Sequence, residues 1–337
     1  MKNIVLIPGD GIGKEITKAV TDILDASGAN LHWIECKAGE SAYKETGNPL
    51  PEETIEAIKK HRIVLKGPLT TPVGAGFRSI NVALRQKFNL YSNIRPAKSL
   101  PNIESPFRAV DIVLFRENTQ GLYFGKEHWV DGDTKNHAES IAVVTRDASE
   151  KIITAAFEYA KKNKRKKVTL VHKANILKLT TGLFLDIGKE IAENYPEIEF
   201  QDLIVDNMAM QMVLRPQQFD VIVTTNLFGD ILSDLASGLV GGLGVTGAAN
   251  IGDDAAMFEA VHGSAPDIAG KGLANPTALL FSALMMLEYL NQYRTAEKIR
   301  SAVYTVLQDH KEDCTKDIGG QGTTESYSEA ICKLLIN

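Results

Sequence analysis

At 337 residues, with 44% hydrophobic and 23% charged side chains, the chain has the material for two compact lobes with cores of their own. Its 37 basic and 42 acidic residues leave a net charge of -5, which weighs against a nucleic-acid binder, and no apolar run approaches the roughly 20 residues that span a membrane. Cys36, Cys314 and Cys332 are an odd number without C-x-x-C spacing, so neither a disulfide framework nor a structural zinc site is expected, and a reducing cytoplasm fits. Met1-Lys2-Asn3-Ile4-Val5 enters a strand directly and leaves no room for a signal peptide.

In chain order, an apolar strand at 3–7 leads to a helix over 14–27, a strand at 31–35 and a helix near 53–60. This α/β rhythm continues with a short strand at 63–65, a helix over 79–87 and a strand at 91–95, after which Pro96 and Pro101 punctuate. A second alternation has strands at 109–115, 168–172 and 219–224, with helices over 149–162 and from about Thr180 and Leu227. Between its elements, residues 123–146 carry Trp129, an Asp131-Gly132-Asp133 turn and a strand-like 140–145, the pattern of a protruding arm. Glycines at 238, 241, 242, 244, 247 and 252 predict a flexible or tightly turning loop. The last third is helical, with Pro276 opening a long apolar helix through Leu290 and further helices over 295–308 and 326–335. The basic run Lys161 to Lys167 reads as a solvated helix end, where cations meet the negative pole of the helix dipole.

Several patterns carry chemistry. Pro8-Gly9-Asp10-Gly11-Ile12-Gly13 stands where a dinucleotide fingerprint would, but its third glycine comes one residue early for G-x-G-x-x-G. A tight turn that starts a helix close to a strand end accounts for it. The segment from Lys66 to Pro72 leads through a glycine-bearing turn into the helix with Ser79, Asn81 and Arg85. Ser79 lies near the helix start, where free N–H groups favour an anion, and an N-cap is the other reading. Arg85, Arg95 and Arg116 sit in or beside three elements, and a trianionic carboxylic acid needs convergent planar donors, although each alone is more often a surface ion-pair partner. Asp230 and Asp234 share a helix face, where like charges need a cation or solvent, and with Asp206 they make an all-oxygen set suited to Mg²⁺ or Mn²⁺. Lys173 follows a strand directly, at the end where open α/β sheets bind ligands.

The P-G-D-G-I-G opening, S-I-N-V-A-L-R at 79–85, F-R-E-N-T-Q-G-L-Y at 115–123, V-H-K-A-N-I at 171–176 and V-H-G-S-A-P-D-I-A-G at 261–270 together resemble the β-decarboxylating dehydrogenases. That family comprises the isocitrate, isopropylmalate, homoisocitrate and tartrate dehydrogenases, and the resemblance runs from Ile4 to about Gly320. It implies an α/β fold of two lobes, residues 1–98 with 251–337 and residues 99–250, with a non-Rossmann nucleotide site between them. The arm at 123–146 would interlock a homodimer in which Lys173 and Asp206 reach across to the partner's site.

The resemblance implies catalytic roles for Tyr123, which protonates the enol left by decarboxylation, and for Lys173, which works on the substrate hydroxyl. Substrate contacts fall to Ser79, Asn81, Arg85, Arg95 and Arg116, and metal contacts to Asp206, Asp230 and Asp234. Cofactor contacts fall to Ile12, Thr70, His262, Gly263, Ser264, Ala265, Asp267, Ile268 and Asn275. Gln120 stands where the family commonly has glutamate. Ser79 and Asn81 suit the distal carboxylate of isocitrate, where isopropylmalate enzymes present bulky apolar residues. Asp267 and Ile268 suit NAD, where NADP forms place Lys and Tyr, because a carboxylate repels a 2'-phosphate. The expectation is NAD-dependent oxidative decarboxylation of isocitrate, as in the tricarboxylic acid cycle. Homoisocitrate and isopropylmalate are the competing substrates. A non-catalytic regulatory subunit is the competing class, against which Tyr123, Lys173 and the three aspartates speak.

Overall fold

The computed structural model describes residues 1–71 and 79–336, so the glycine-bearing turn expected after Thr71 lies outside the described residues. The first part of the chain forms β1 (Lys2–Ile7), α1 (Gly13–Ala26), β2 (Leu31–Glu35), α2 (Glu40–Thr46), α3 (Glu52–His61), β3 (Ile63–Lys66), α4 (Ile80–Lys87) and β4 (Ser92–Lys98). The middle forms β5 (Asp111–Glu117), the arm strands β6 (Gly121–Trp129) and β7 (Ala138–Val143), α5 (Arg146–Lys162), β8 (Lys167–His172), α6 (Thr180–Ala192), β9 (Glu199–Ile204), α7 (Val205–Leu214), β10 (Val221–Thr224) and α8 (Asn226–Leu239). The last part forms β11 (Gly247–Ile251), β12 (Ala256–Ala260), α9 (Thr277–Tyr289), α10 (Tyr293–Asp309) and α11 (Thr324–Ile336). None of the described helices is long and apolar enough to cross a membrane.

Ten strands make one sheet in the order β2-β1-β3-β12-β11-β4-β5-β10-β8-β9. Two blocks, β2-β1-β3-β12 and β5-β10-β8-β9, are parallel, and the antiparallel strands β11 and β4 join them. The central parallel strands β3 and β10 are buried throughout, which is why their sequences read as unbroken apolar runs rather than alternations. Each block carries a core on both faces. α1, α9, α10 and α11 cover one face of the first block around Ile16, Leu279 and Tyr327, while Ile58, Ile80 and Leu84 pack on the other with Val5 and Val64. In the second block Phe157 and Phe184 pack on one face, and Met208, Met212 and Leu232 on the other.

Two expectations from the sequence are corrected. β4 does not stop at Pro96: β11 pairs only with Ser92, Asn93 and Ile94, so Pro96 sits where β4 has lost that neighbour, and a residue without an N–H is tolerated there as on an edge strand. The glycine-rich stretch is not all loop, because β11 lies within it and is buried in the sheet. Gly247 allows α9 to press on that strand. A Cβ there would lie 2.6 Å from the Ser282 backbone nitrogen and 3.0 Å from the Ala278 carbonyl oxygen. Gly247→Ala should therefore cost about 1–3 kcal/mol of stability through overpacking, read as a lower urea midpoint with an unchanged m-value.

Candidate active site

In each parallel block all strands end on one side, so the loops after neighbouring strands converge. In the first block these are the loops after β1, β3 and β12. The Ile12 N–H donates to the Ser264 carbonyl at 2.8 Å, the Asp10 N–H to the Pro68 carbonyl at 2.8 Å, and the Thr70 and Ser264 hydroxyls lie 2.6 Å apart. Buried Asp10 accepts from the N–H groups of Glu40, Ser41 and Thr70 at 2.9, 2.9 and 2.8 Å, tying the start of α2 to the loop. Gly11 has φ +55, and a Cβ there would meet the Ser264 carbonyl oxygen at 2.0 Å. The P-G-D-G-I-G turn is thus a packing device that holds the other two loops.

The loop after β12 presents Gly263 and Asp267 exposed, with Ser264, Ala265 and Ile268 half-buried. His262 donates from Nδ1 to the Gly263 carbonyl at 3.0 Å, which leaves Nε2 as a buried acceptor with no partner among the described residues. Burial keeps its pKa below the ordinary histidine value, so the ring is neutral and Nε2 can accept a hydrogen bond from a ligand. Asn275 serves structure as well: its amide nitrogen donates to Asp317 at 2.9 Å, and its oxygen accepts from the backbone N–H and hydroxyl of Thr277 at the start of α9.

At the seam between the blocks three guanidinium groups converge. Arg116, on β5, is 1% exposed and donates to Asn226 at 2.9 Å and to Asp230. Arg95, on β4, donates to Asn93 at 2.7 Å, Ser233 at 2.6 Å and Asp234 at 3.3 Å. Arg85, on α4, donates to Glu259 at 3.0 Å while its Nε is buried without a partner among the described residues. Burial, and then the charges of Arg116 and Arg85, bring Arg95 down to about 10. Arg116 is lowered by burial and by Arg85. Such mutual depression marks a place where an added anion is stabilised.

Ser79, at the N-cap position of α4, lines a cavity with Gln86 and Tyr123; its side chain makes no capping bond and the residue is exposed. The Asn81 side-chain oxygen is buried and unpartnered among the described residues. Both readings of Ser79 were open on sequence, and among the described residues its side chain makes no cap hydrogen bond.

Tyr123 donates to Asp230 at 2.5 Å, and the Arg116 guanidinium lies 5.1 Å from the centre of its ring. Burial and the Asp230 bond raise the Tyr123 pKa, so the phenol is protonated at neutral pH. For Asp230, burial alone would raise the pKa, but Arg116, the Tyr123 hydroxyl and Arg95 hold it below the usual value. Asp234 is raised by burial against the pull of Arg95. The tyrosine is set by the turn before it. Buried Glu117 accepts from the Thr119 N–H and hydroxyl and from the Gln120 N–H, and the Gln120 side-chain oxygen accepts from the Thr145 N–H at 3.0 Å while its amide nitrogen donates to the Thr145 hydroxyl at 2.9 Å. The arm thereby leaves and re-enters the body at one pinned point.

Lys173, directly after β8, and Asp206, in the first turn of α7, form a separate ion pair of 2.7 Å, and the lysine draws the Asp206 pKa down. No hydrogen bond or ion pair among the described residues joins this pair to Tyr123, Asp230 or Asp234. The basic run at 161–167 is partly neutralised, with Lys161 3.7 Å from Glu197, Lys167 3.7 Å from Glu199, and Arg165 between Asp111 and Asp220 at 2.6 and 2.9 Å.

Sequence reasoning missed Lys66, Glu259, Asn93, Asn118, Asn226, Ser233 and Asn250. Lys66 and Glu259, both buried, pair at 2.7 Å, and Glu259 also takes the Arg85 bond. Only one signal was available: Lys66 closes the apolar run of β3, and Glu259 interrupts the apolar stretch 255–261.

Two parallel blocks joined at a cationic seam give a mixed α/β fold whose candidate site lies at that seam. The sequence model of the isocitrate/isopropylmalate dehydrogenase family matches residues 3–331. The chain is 47% identical over 328 residues to the mitochondrial isocitrate dehydrogenase (NAD) catalytic subunit 5 of Arabidopsis thaliana, covering 97% of this chain and 87% of that one. It is 49% identical over 335 residues to an isocitrate/homoisocitrate dehydrogenase of Thermus thermophilus, covering 98% of each. A crystal structure of isocitrate dehydrogenase from Methylococcus capsulatus superimposes with a TM-score of 0.96 at 55% identity, covering both chains completely. The chain belongs to the isocitrate/isopropylmalate dehydrogenase family and is a decarboxylating dehydrogenase.

Burial alone would raise the Glu259 pKa, but Lys66 and Arg85 hold it far below the ordinary range. Its stabilising contribution is therefore complete above about pH 4.3, the unfolded value, and drains away as the pH falls toward the folded one. Glu259→Gln leaves Lys66 buried without its counter-charge, with an expected loss of about 3–5 kcal/mol at neutral pH. Urea unfolding of both proteins should show that gap narrowing at about pH 3; a gap independent of pH would contradict the assignment.

Proposed function

We propose that the chain oxidises isocitrate with NAD and decarboxylates it to 2-oxoglutarate, using Mg²⁺ or Mn²⁺. The convergence of Arg85, Arg95 and Arg116, with Arg85 Nε buried and without an acceptor among the described residues, carries this reading, because it offers more cationic and donor capacity than the protein itself uses. A tricarboxylate supplies acceptors for the unpartnered Arg85 Nε and for the Ser79 hydroxyl, and the Asn81 side chain can join them only through its amide nitrogen, donors that an isopropyl group would leave unpaired. The Thermus relative's name favours homoisocitrate as the second reading, since it too has a polar distal end.

Asp230 and Asp234, four residues apart on α8, offer oxygen donors alone, which fits a hard divalent cation. When bound, the cation would polarise the carbonyl made by oxidation, and NAD would accept the hydride. Tyr123, protonated and aimed by Asp230, donates the proton that completes the product. Lys173, held by Asp206, handles the substrate hydroxyl proton. We place both at the partner's site in a homodimer, with the lobes divided at 1–98 with 251–337 and 99–250. Apolar side chains exposed on the arm (Phe124, Trp129, Ile141), on α7 (Met210, Val213) and on α8 (Ile231) support such an interface. Three free thiols suit a reducing compartment, and we assign the cytoplasm, although the Arabidopsis relative is named mitochondrial.

Purified protein should turn over isocitrate with NAD faster than homoisocitrate or isopropylmalate, and EDTA should abolish the activity until Mg²⁺ or Mn²⁺ is restored. A preference for isopropylmalate would sink the Ser79 and Asn81 assignment. Asp267 is exposed on the loop after β12, where its carboxylate suits ribose hydroxyls. Asp267→Lys should raise KM for NAD about tenfold or more and improve use of NADP, checked by initial rates with each cofactor.

A further inference from the structure

Across the seam runs a chain of buried amides that the reaction itself does not use. Asn250, on β11, is fully buried and donates to Glu259 at 2.8 Å. Its side-chain oxygen accepts from Asn93 at 2.9 Å and from Asn118 at 2.9 Å. Asn93, directly opposite it on β4 and also fully buried, accepts in turn from Arg95 Nε at 2.7 Å. The same Glu259 carboxylate holds Arg85 and Lys66. With its second N–H given to the Met257 carbonyl at 3.3 Å, every donor and acceptor of the Asn250 amide is assigned, and the amide can stand in only one orientation.

We propose that Asn250 and Asn93 are positioning residues that fix Arg95 at a set distance from Arg85. The two guanidiniums come from opposite sides of the seam, Arg85 from the helix over the first block and Arg95 from the strand beside β5. Without the amide chain, Arg95 keeps Ser233, Asp234 and, at 3.7 Å, Asp230, all on α8, and nothing else on its Nε side refers it to the first block. The Asn93 bond occupies Nε and so directs the two terminal nitrogens toward Ser233, Asp234 and the space beside Asp230, where the anion is read. Two fixed guanidiniums select a polycarboxylate by the spacing of its carboxylates as well as by its charge. This inference rests on the assignment of Arg95 to substrate.

A double-mutant cycle with isocitrate, NAD and Mg²⁺ tests both. Asn93→Ala, and Asn93→Ser as a milder variant should the first fold poorly, should raise KM for isocitrate about tenfold with a smaller change in kcat and an unchanged KM for NAD. Added to Arg95→Ala, which should raise KM further, Asn93→Ala should cause no additional increase. If Arg95→Ala raises KM and the Asn93 variants do not, or if the two effects add in full, the positioning role is overturned. If Arg95→Ala leaves KM unchanged, the substrate assignment of Arg95 itself fails. A fall in melting temperature without any change in KM would reduce Asn93 to a structural residue and refute the inference.

Discussion

A single carboxylate, Glu259, lets this protein keep two cations, Lys66 from the sheet and Arg85 from the helix beside it, away from water. Lys66 is 1% exposed, and an ammonium so far from water is tolerated only with a counter-charge in contact. Glu259 supplies it and at the same time accepts from Arg85 and Asn250, so its oxygens are saturated by donors from three different elements. Because the pair is buried, surrounding salt screens it little, and the array is as rigid as the strands that carry it.

The sheet's construction explains why that array sits where it does. On one face, the apolar cluster around Val5, Val64 and Met257 stops before the cluster around Ile112, Leu114 and Met212 begins. Between them the inward positions of β12, β11, β4 and β5 are Glu259, Asn250, Asn93, Arg95 and Arg116. On the reverse face Ile94 packs against the cores of both blocks, so the sheet is sealed with hydrocarbon behind the polar row. The antiparallel pair at the seam brings the start of β4 beside the end of β5, which puts Arg95 with Arg116 although the two strands run in opposite directions.

Much of this was legible in the sequence, and the limits have physical reasons. The periodicity of α1, α5 and α10 and the apolar runs of β1, β8 and β10 are local signals, and the structure bears them out within a few residues. The convergence of Arg85, Arg95 and Arg116 was suggested by motif resemblance, since no period relates residues on α4, β4 and β5. Glu259 and Asn250 escaped notice because β11 and β12 are short, buried on both faces and flanked by glycines and aspartates, so no alternation betrays a polar position that faces inward. Pro96 misled for a related cause: the rule that proline ends a strand assumes neighbours on both edges, and β4 has lost one by that point.

The clasp between Gln120 and Thr145 separates the arm's geometry from the site's. Strand β6 departs and α5 begins at adjacent points of the body, so the excursion between them is a closed detour, and Tyr123, three residues into it, is held by its bond to Asp230 rather than by the arm's far end. Both partners in the clasp are uncharged, and acid or base within the physiological range leaves it intact. Evolution or engineering can therefore lengthen, shorten or resurface the detour beyond Tyr123 while the hydrogen bonds at its root are inherited unchanged.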